Sequence, residues 1–174
     1  MTRSNHKSTE TLAKKVQFAV IGGGVIGGGW VARFLLMGSD VKIFDPDPEA
    51  PRKIDEVLSN ARRSLPALYE HALPPEGSLS FVNSISEAVD GSDWVSECVP
   101  EQLKLKHSVM AEIQSHCPKS AIITSSTSGF KPSELQQGSD NPEQIIVAHP
   151  FNPVYLLPLV ELVGNITTVD RANL

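Results

Sequence analysis

One glycine-rich turn has the residue types and spacing of a phosphate-binding loop. It lies between a short apolar run and a helical pattern, which is the strand–loop–helix context that such a loop needs. Gly22 would allow the tight turn, Gly24 would let a diphosphate approach the backbone, and Gly27 would let the helix pack closely on the strand. We predict a dinucleotide-binding loop, with a purely structural glycine turn as the alternative. Its residues are Gly22, Gly23, Gly24, Val25, Ile26 and Gly27, in the pattern G-x-G-x-x-G.

Asp45 follows this loop at the end of the second apolar run. A carboxylate at that position accepts hydrogen bonds from the adenosine ribose hydroxyls and repels a 2′-phosphate. The sequence therefore favours NAD over NADP as the cofactor. The alternative is a turn residue, because Asp is common in turns and Pro46 comes next.

Three polar segments further along the chain could act on a bound substrate. They cover residues 97–106, 125–129 and 149–153, and each comes directly after an apolar run that is typical of a strand. Ligands of an open parallel sheet bind outside the carboxyl ends of its strands. We therefore expect the three segments to gather along one sheet edge, with His149 in the third segment and Glu161 shortly after it.

The elements that must position these residues alternate between strands and helices. After the glycine loop, Ile26, Trp30 and Phe34 recur every four residues and define one helix face. A second helix is expected from about Glu49 to Leu68, and a later one has Pro100 as its first residue. This alternation predicts an α/β fold with a doubly wound, mostly parallel sheet of Rossmann type over residues 16–174, after a flexible segment at residues 1–15. The predicted strands are Val16–Ile21, Val41–Phe44, Leu79–Val82, Asp93–Cys98, Ala121–Thr124 and Ile145–Ala148.

The composition of the 174 residues argues against nucleic-acid and membrane partners. The net charge is -5, whereas nucleic-acid-binding domains are usually basic. The chain has no run of about 18 apolar residues and no apolar stretch near its start, so it is expected to lack a membrane span and a secretory signal, with the cytoplasm as the default location. Cys98 and Cys117 are too few for a disulfide framework or a zinc site, and no metal is expected.

The segments at the strand ends carry motifs that resemble those of the 3-hydroxyacyl-CoA dehydrogenase family. Residues 126–128 resemble its Ser-Thr-Ser or Asn-Thr-Ser turn, residues 149–153 its H-x-F-N-P motif, and residues 159–161 its L-V-E. The resemblance runs from Val16 to about Asn165. Many acyl-CoA members have Asn where this chain has Ser126, so the carnitine- or gulonate-oxidising branches are favoured, and the runs around His149 are most similar to the carnitine branch.

The resemblance implies a role for each of these positions. His149 would be the general base that takes the proton of a secondary hydroxyl, and Glu161 would hold its imidazole. Histidine suits that role because it titrates near neutral pH. Ser128 would hydrogen-bond the reacting hydroxyl near the nicotinamide. The positions implied to lie near the cofactor or substrate are Glu101, Lys106 and Asn152.

Each role has a duller alternative. His149 could be an ordinary loop histidine before a proline, and Ser128 could cap its turn. Glu161 stands between apolar residues at strand-like spacing, so it is either exposed to solvent or buried and paired. Cys98 and Cys117 are interpreted as buried small apolar residues rather than nucleophiles.

The resemblance implies a dehydrogenase that oxidises the 3-hydroxyl of a small 3-hydroxy acid and passes the hydride to NAD+. Carnitine is the favoured substrate, an acyl-CoA thioester or gulonate is the alternative, and a non-catalytic dinucleotide-binding module is the alternative of another class. The family's helical C-terminal domain, which closes the cleft and forms a dimer interface, is expected to be absent from this chain. We therefore expect the chain to bind NAD but to turn over little substrate, with a homodimer only in the longer protein.

Overall fold

A seven-stranded sheet is the frame of the computed structural model, which describes residues 15–168. The strands are β1 Gln17–Ile21, β2 Asp40–Phe44, β3 Leu79–Phe81, β4 Trp94–Glu97, β5 Ile122–Ser125, β6 Ile145–Pro150 and β7 Val160–Val163. The helices are α1 Val25–Leu36, α2 Ala50–Ser64, α3 Ile85–Val89, α4 Leu103–His116 and α5 Pro132–Leu135, with 3-10 turns at Leu65–Leu68 and Pro142–Gln144.

The strand order is β3-β2-β1-β4-β5-β6-β7, and all neighbours are parallel except β6 and β7. The chain winds outward from β1 in both directions, so a crevice opens where β1 and β4 end side by side. The predicted doubly wound, mostly parallel sheet is confirmed. Within residues 15–168, no helix is both long and apolar enough to cross a membrane.

Apolar side chains cover both faces of the sheet. On one face, α1 and α2 bury Val31, Leu35 and Ile54 against β1 and β2. On the other face, α3 and α4 bury Val89 and Ile113 against β4 and β5. Burial of a side chain of this size contributes about 1.5–3 kcal/mol, so both layers hold the strand ends in fixed positions.

Two helix boundaries differ from the predictions, and proline is the cause of the first. The α-helical part of the predicted 49–68 helix ends at Ser64, because Pro66 has no N–H for the next helical hydrogen bond, and the chain continues as a 3-10 turn. The prediction of Pro100 as a first helical residue is wrong, since α4 begins at Leu103. The residues between form a turn in which the Gln102 N–H donates to the Pro100 carbonyl at 2.7 Å.

Strand β7 was not among the predicted strands. It pairs with β6 in antiparallel register, and His149 lies directly opposite Glu161. The predicted flexible segment at residues 1–15 lies outside the described residues, except for Lys15.

Candidate active site

The glycine loop joins β1 to α1, and no side chain caps the N-terminus of that helix. Gly22 has a φ of +100°, which side chains rarely tolerate, and a Cβ built on Gly27 would lie 1.8 Å from the Gly22 carbonyl oxygen. Gly24 caps α1 without a side-chain hydrogen bond, and the first turn holds no acidic residue. The positive end of the helix dipole therefore faces the crevice without a compensating carboxylate in that turn.

A large cavity of about 540 Å³ opens in front of this loop, and we call it the glycine-loop cavity. Asp45 stands in its wall, where its carboxylate accepts hydrogen bonds from the N–H groups of Gly23, at 2.5 Å, and Asp47, at 2.7 Å. Asp45 is thus a turn residue, as one interpretation of the sequence had it, and it also stands in the cavity wall, where the predicted ribose-binding role would place it. The wall opposite is apolar, and this combination suits an aromatic ring carried on a sugar. The apolar residues there are Ile85, Val99, Leu105 and Val109.

His149 and Glu161 form a hydrogen-bonded pair across the β6–β7 hairpin. The distance between His149 Nδ1 and Glu161 Oε2 is 2.8 Å, and the side chains are 30% and 59% exposed. Glu161 therefore combines the two alternatives, because it is exposed and paired at once. When Nδ1 donates to the carboxylate, Nε2 is the acceptor nitrogen of the neutral ring. The pair can thus receive a proton from a hydroxyl that approaches Nε2.

Ser128 and His149 line one cavity of about 230 Å³. Ser128 is exposed on the turn after β5, and its neighbour Thr127 caps that turn by accepting hydrogen bonds from the N–H groups of Gly129, at 3.2 Å, and Phe130, at 3.1 Å. The capping role that the sequence allowed for Ser128 is therefore filled by Thr127. The Ser128 hydroxyl remains in the wall that it shares with His149.

A third cavity of about 190 Å³ lies between the other two. It shares Cys98 and Val99 with the wall of the glycine-loop cavity. It shares Ser128 with the wall of the cavity that His149 lines. The rest of its wall consists of Ile26, Glu101, Lys106 and Ser126. The shared residues connect the glycine loop to the His149–Glu161 pair along a single sheet edge, as the positions of the segments in the sequence predicted.

Lys106 is buried in the structure, whereas Asn152 is exposed. Lys106 is 1% exposed, and its ammonium group contacts Glu97 and Glu101. Asn152 is exposed in the loop after β6 and does not line any of these three cavities.

Two ionisable groups beside the third cavity have shifted pKa values. Desolvation by partial burial raises the pKa of Glu101, but the hydrogen bond from Thr127 and the charge and hydrogen bond of Lys106 outweigh it, so the net shift is downward. Glu101 is therefore an anion at neutral pH. Burial raises the pKa of the Cys98 thiol to about 12, and a thiol that is neutral at pH 7 is a poor nucleophile. This agrees with the interpretation that Cys98 is not a nucleophile, but its side chain is half-buried and lines two of the cavities instead of being fully buried.

Sequence reasoning placed Glu97 in the polar segment 97–106 without giving it a role, and it missed Trp30 as a residue of this region. Glu97 is fully buried at the end of β4, and the Trp30 indole N–H on α1 donates to the Ser126 hydroxyl at 3.1 Å. The available signal for Glu97 was a lone carboxylate at the end of a buried strand, which is costly unless it is paired. Trp30 carried no such signal, because its spacing is that of any core residue on α1.

Comparison with known proteins gives a consistent result. The family model of the 3-hydroxyacyl-CoA dehydrogenase NAD binding domain matches residues 17–173. The L-carnitine dehydrogenase/betainyl-CoA thioesterase of Ruegeria pomeroyi is 67% identical over 145 residues, which are 83% of this chain and 30% of that protein. The L-carnitine dehydrogenase of Oceanobacillus iheyensis is 50% identical over 158 residues, which are 91% of this chain and 51% of that protein.

Solved structures agree with these matches. An NAD+-dependent dehydrogenase of 5-formyl-3-hydroxy-2-methylpyridine 4-carboxylic acid superposes with a TM-score of 0.82 at 32% identity, over 91% of this chain and 52% of that one. The 3-hydroxybutyryl-CoA dehydrogenase of Escherichia coli superposes with a TM-score of 0.77 at 25% identity, over 92% of this chain and 35% of that one. The chain thus spans about a third to a half of the length of these proteins.

Proposed function

The chain belongs to the 3-hydroxyacyl-CoA dehydrogenase family, whose NAD-binding domain it matches as the motifs predicted, and from that premise we propose that it serves the oxidation of L-carnitine to 3-dehydrocarnitine. The observation that carries the proposal is the series of cavities with shared walls from the N-terminus of α1 to the His149–Glu161 pair. The names of the curated relatives support carnitine as the substrate. For the complete protein we keep the expectations of a cytoplasmic homodimer.

The residues of the glycine-loop cavity fit the diphosphate and adenosine of NAD+. A Cβ built on Gly24 would meet no atom within 4 Å, so the glycine keeps open a space that a diphosphate can enter. The N–H groups at the start of α1 would hold that diphosphate, and Asp45 would accept from the ribose hydroxyls. The apolar wall would cover the adenine. NAD+ supplies the hydride acceptor when it is bound, and the protein supplies placement and proton transfer.

His149 is the proposed general base. Its Nε2 would take the proton of the 3-hydroxyl, since a base must be within hydrogen-bond reach of that proton. Glu161 holds Nδ1 at 2.8 Å, which fixes the tautomer and stabilises the imidazolium that forms. Ser128 would hydrogen-bond the reacting oxygen from the other side of the cavity that it shares with His149. Glu101 and Asn152 keep the roles near cofactor or substrate that the resemblance implies, whereas Lys106 would act there through the carboxylates that it contacts.

An aromatic side chain beside the base suits the trimethylammonium group of carnitine. The ring centroids of Phe151 and His149 are 5.7 Å apart, and Phe151 is 37% exposed. Aromatic faces attract quaternary ammonium groups. We infer that Phe151 contributes one such face. Tyr155, the other aromatic residue of this loop, packs against the α1–α2 layer instead.

Calorimetric titration of the chain with NAD+ and with NADP+ tests the cofactor arrangement. We expect tighter binding of NAD+. We expect Asp45→Asn to weaken NAD+ binding and to narrow its preference over NADP+, while Asp55→Asn, on the exposed side of α2, changes neither. Equal or tighter binding of NADP+ by the unaltered chain would contradict the role of Asp45. Absence of binding to both nucleotides would contradict the proposed function.

Steady-state rates of the complete protein test the substrate. We expect L-carnitine to be oxidised with a higher kcat/KM than L-gulonate or a 3-hydroxyacyl-CoA thioester. A preference for the thioester would overturn the choice of carnitine and leave the dehydrogenase chemistry in place.

A further inference from the structure

A buried ion cluster lies directly behind the third cavity. It consists of Glu97 at the end of β4, Lys106 in the first turns of α4, and Glu101 between them. The side chains of Glu97 and Lys106 are 0% and 1% exposed, whereas Glu101 is 43% exposed and reaches the cavity wall. The cluster therefore links the interior of the sheet to the surface that would face the nicotinamide end of the cofactor.

Oxygen atoms of the protein surround the Lys106 ammonium group. Its Nζ lies 2.9 and 3.2 Å from the two carboxylate oxygens of Glu97, 3.2 Å from the Val99 carbonyl oxygen and 3.2 Å from Glu101 Oε2. An ammonium group has three N–H donors, and these acceptors use all of them. Lys106 thus has no donor left for a cofactor or a substrate in this arrangement, although it lines the cavity.

Glu97 fixes both turns that border the third cavity. One of its oxygens accepts from the Val99 N–H at 2.8 Å, on the turn after β4. The other accepts from the Ser125 hydroxyl at 2.5 Å, at the end of β5. A carboxylate with this many donors is held in one position, and it holds the two turns at a fixed separation.

Glu101 extends the cluster to the turn that carries Ser128. One of its oxygens accepts from the Thr127 hydroxyl and, at 3.2 Å, from the Gly129 N–H, while the other contacts Lys106. The residues on either side of Ser128 are therefore tied to Glu101, and Glu101 is tied through Lys106 to Glu97.

We propose that Glu97 is a positioning residue that acts through Lys106 and Glu101 to hold the 126–129 turn against the nicotinamide end of the cleft. The inference deepens the proposed function and rests on it. Stability alone is a weak reason for such a cluster, because a buried ion pair can often be replaced by neutral groups of similar size without loss of stability. The cluster instead joins the turns that follow β4 and β5, and residues of both turns line the third cavity.

Four variants separate positioning from stability. Glu97→Gln and Lys106→Met each leave a buried charge with fewer partners, and both are expected to lower Tm. The double variant Glu97→Gln/Lys106→Met removes one anion and one cation, so the net charge of the cluster is unchanged and much of the loss in Tm is expected to be recovered. Glu112→Gln, at an exposed position of α4, is the matched control.

The probes are ADP-ribose and NADH, each titrated into the 174-residue chain. ADP-ribose lacks the nicotinamide and reports on the glycine-loop cavity, whereas NADH also reports on the nicotinamide end through its fluorescence. We expect the double variant to bind ADP-ribose as the unaltered chain does. Its advantage for NADH over ADP-ribose is expected to fall by about 3- to 10-fold, the size of one lost hydrogen bond, with a smaller change in NADH fluorescence.

Each other outcome overturns the inference. If the double variant regains both Tm and the full NADH advantage, the cluster is merely structural. If ADP-ribose and NADH weaken equally in the double variant, the effect is not specific to the nicotinamide end. If the unaltered chain binds ADP-ribose and NADH alike with no change in fluorescence, or binds neither, the fault lies in the proposed function itself, and the inference falls with it.

Discussion

His149, the proposed general base, lies on an open surface rather than in a closed pocket. The exposed fractions of 30% for His149 and 59% for Glu161 mean that water screens the charge of Glu161. The carboxylate orients the ring through its hydrogen bond with Nδ1. Water would have to leave this surface when a substrate covers it, which would strengthen the interaction.

Replacement of His149 tests its assignment as the base. In the complete protein, we expect His149→Ala to lower kcat by about 10²- to 10⁴-fold, the usual contribution of general acid–base catalysis. NAD+ affinity is expected to change little, because His149 does not line the glycine-loop cavity. Steady-state kinetics and calorimetry measure the two effects. Retained turnover would eliminate the base assignment.

Glu161→Gln is expected to have a smaller effect than His149→Ala. The glutamine oxygen can still accept from Nδ1, but it does not stabilise the imidazolium as a charged partner does. We expect kcat to fall while the KM for the substrate changes less. An equal loss of kcat in both variants would show that Glu161 does more than orient the ring.

Among the secondary-structure elements, helix α1 borders the cavity at its N-terminus and packs against the loop after β6 along its length. Its N-cap residue Gly24 lines the cavity in front of the glycine loop, while Gly29 lies against the loop that follows His149. A Cβ built on Gly29 would lie 2.8 Å from the Cβ of Val154, whereas the nearest atom to a Cβ on Gly28 would be 3.5 Å away, on Val57. The lack of a side chain at position 29 thus allows the loop after β6 to pack on α1.

The two neighbouring glycines therefore predict opposite effects on stability. Gly28→Ala should stabilise the chain by up to about 1 kcal/mol, because alanine favours a helix and finds ordinary contact distances. Gly29→Ala should destabilise it by about 1–3 kcal/mol, because Val154 must move. Urea unfolding measures both. Stabilisation by Gly29→Ala would show that the loop packs on α1 less closely than described.

Elements that depend on local sequence patterns could be predicted, whereas those that depend on residues elsewhere in the chain could not. The glycine loop and the polar segments at the strand ends follow local rules, so their positions at one edge were predictable. The β7 strand was not, because Val160–Val163 is short and its identity depends on pairing with β6 across a loop. The burial of Lys106 could not be predicted either. A lysine in a helix is usually exposed, and the contacts of its ammonium group with Glu97, Glu101 and the Val99 carbonyl explain its burial.

At the scale of the whole molecule, several carboxylates bind protons less readily in the folded chain. The Ser78 N–H, followed by Lys15 and the Ser78 hydroxyl, lowers the pKa of Asp40 to about 2, and Arg62 lowers the pKa of Glu76. A lowered folded pKa contributes stability above the unfolded value, and that stability is lost as pH falls through the folded value. Acid should therefore destabilise the chain mainly below about pH 4.

Asp40→Asn tests this pH dependence at the described carboxylate whose pKa is lowered most. The variant should lose stability at pH 7, where the carboxylate is charged and tied to Ser78 and Lys15. Its free energy of unfolding should also fall less steeply than that of the unaltered chain between about pH 4 and 2. Urea unfolding at several pH values measures the slope. Equal slopes would contradict the shift assigned to Asp40.

The glycine loop and the His149–Glu161 pair lie along one sheet edge, and in our proposal both serve the same bound cofactor. A crystal structure of the chain with NADH tests it most directly. We predict the diphosphate within hydrogen-bond distance of backbone N–H groups of residues 24–27, and the nicotinamide ring beside Ser128 on the side of His149. A nicotinamide ring turned away from His149, or a dinucleotide bound outside the glycine-loop cavity, would contradict the account.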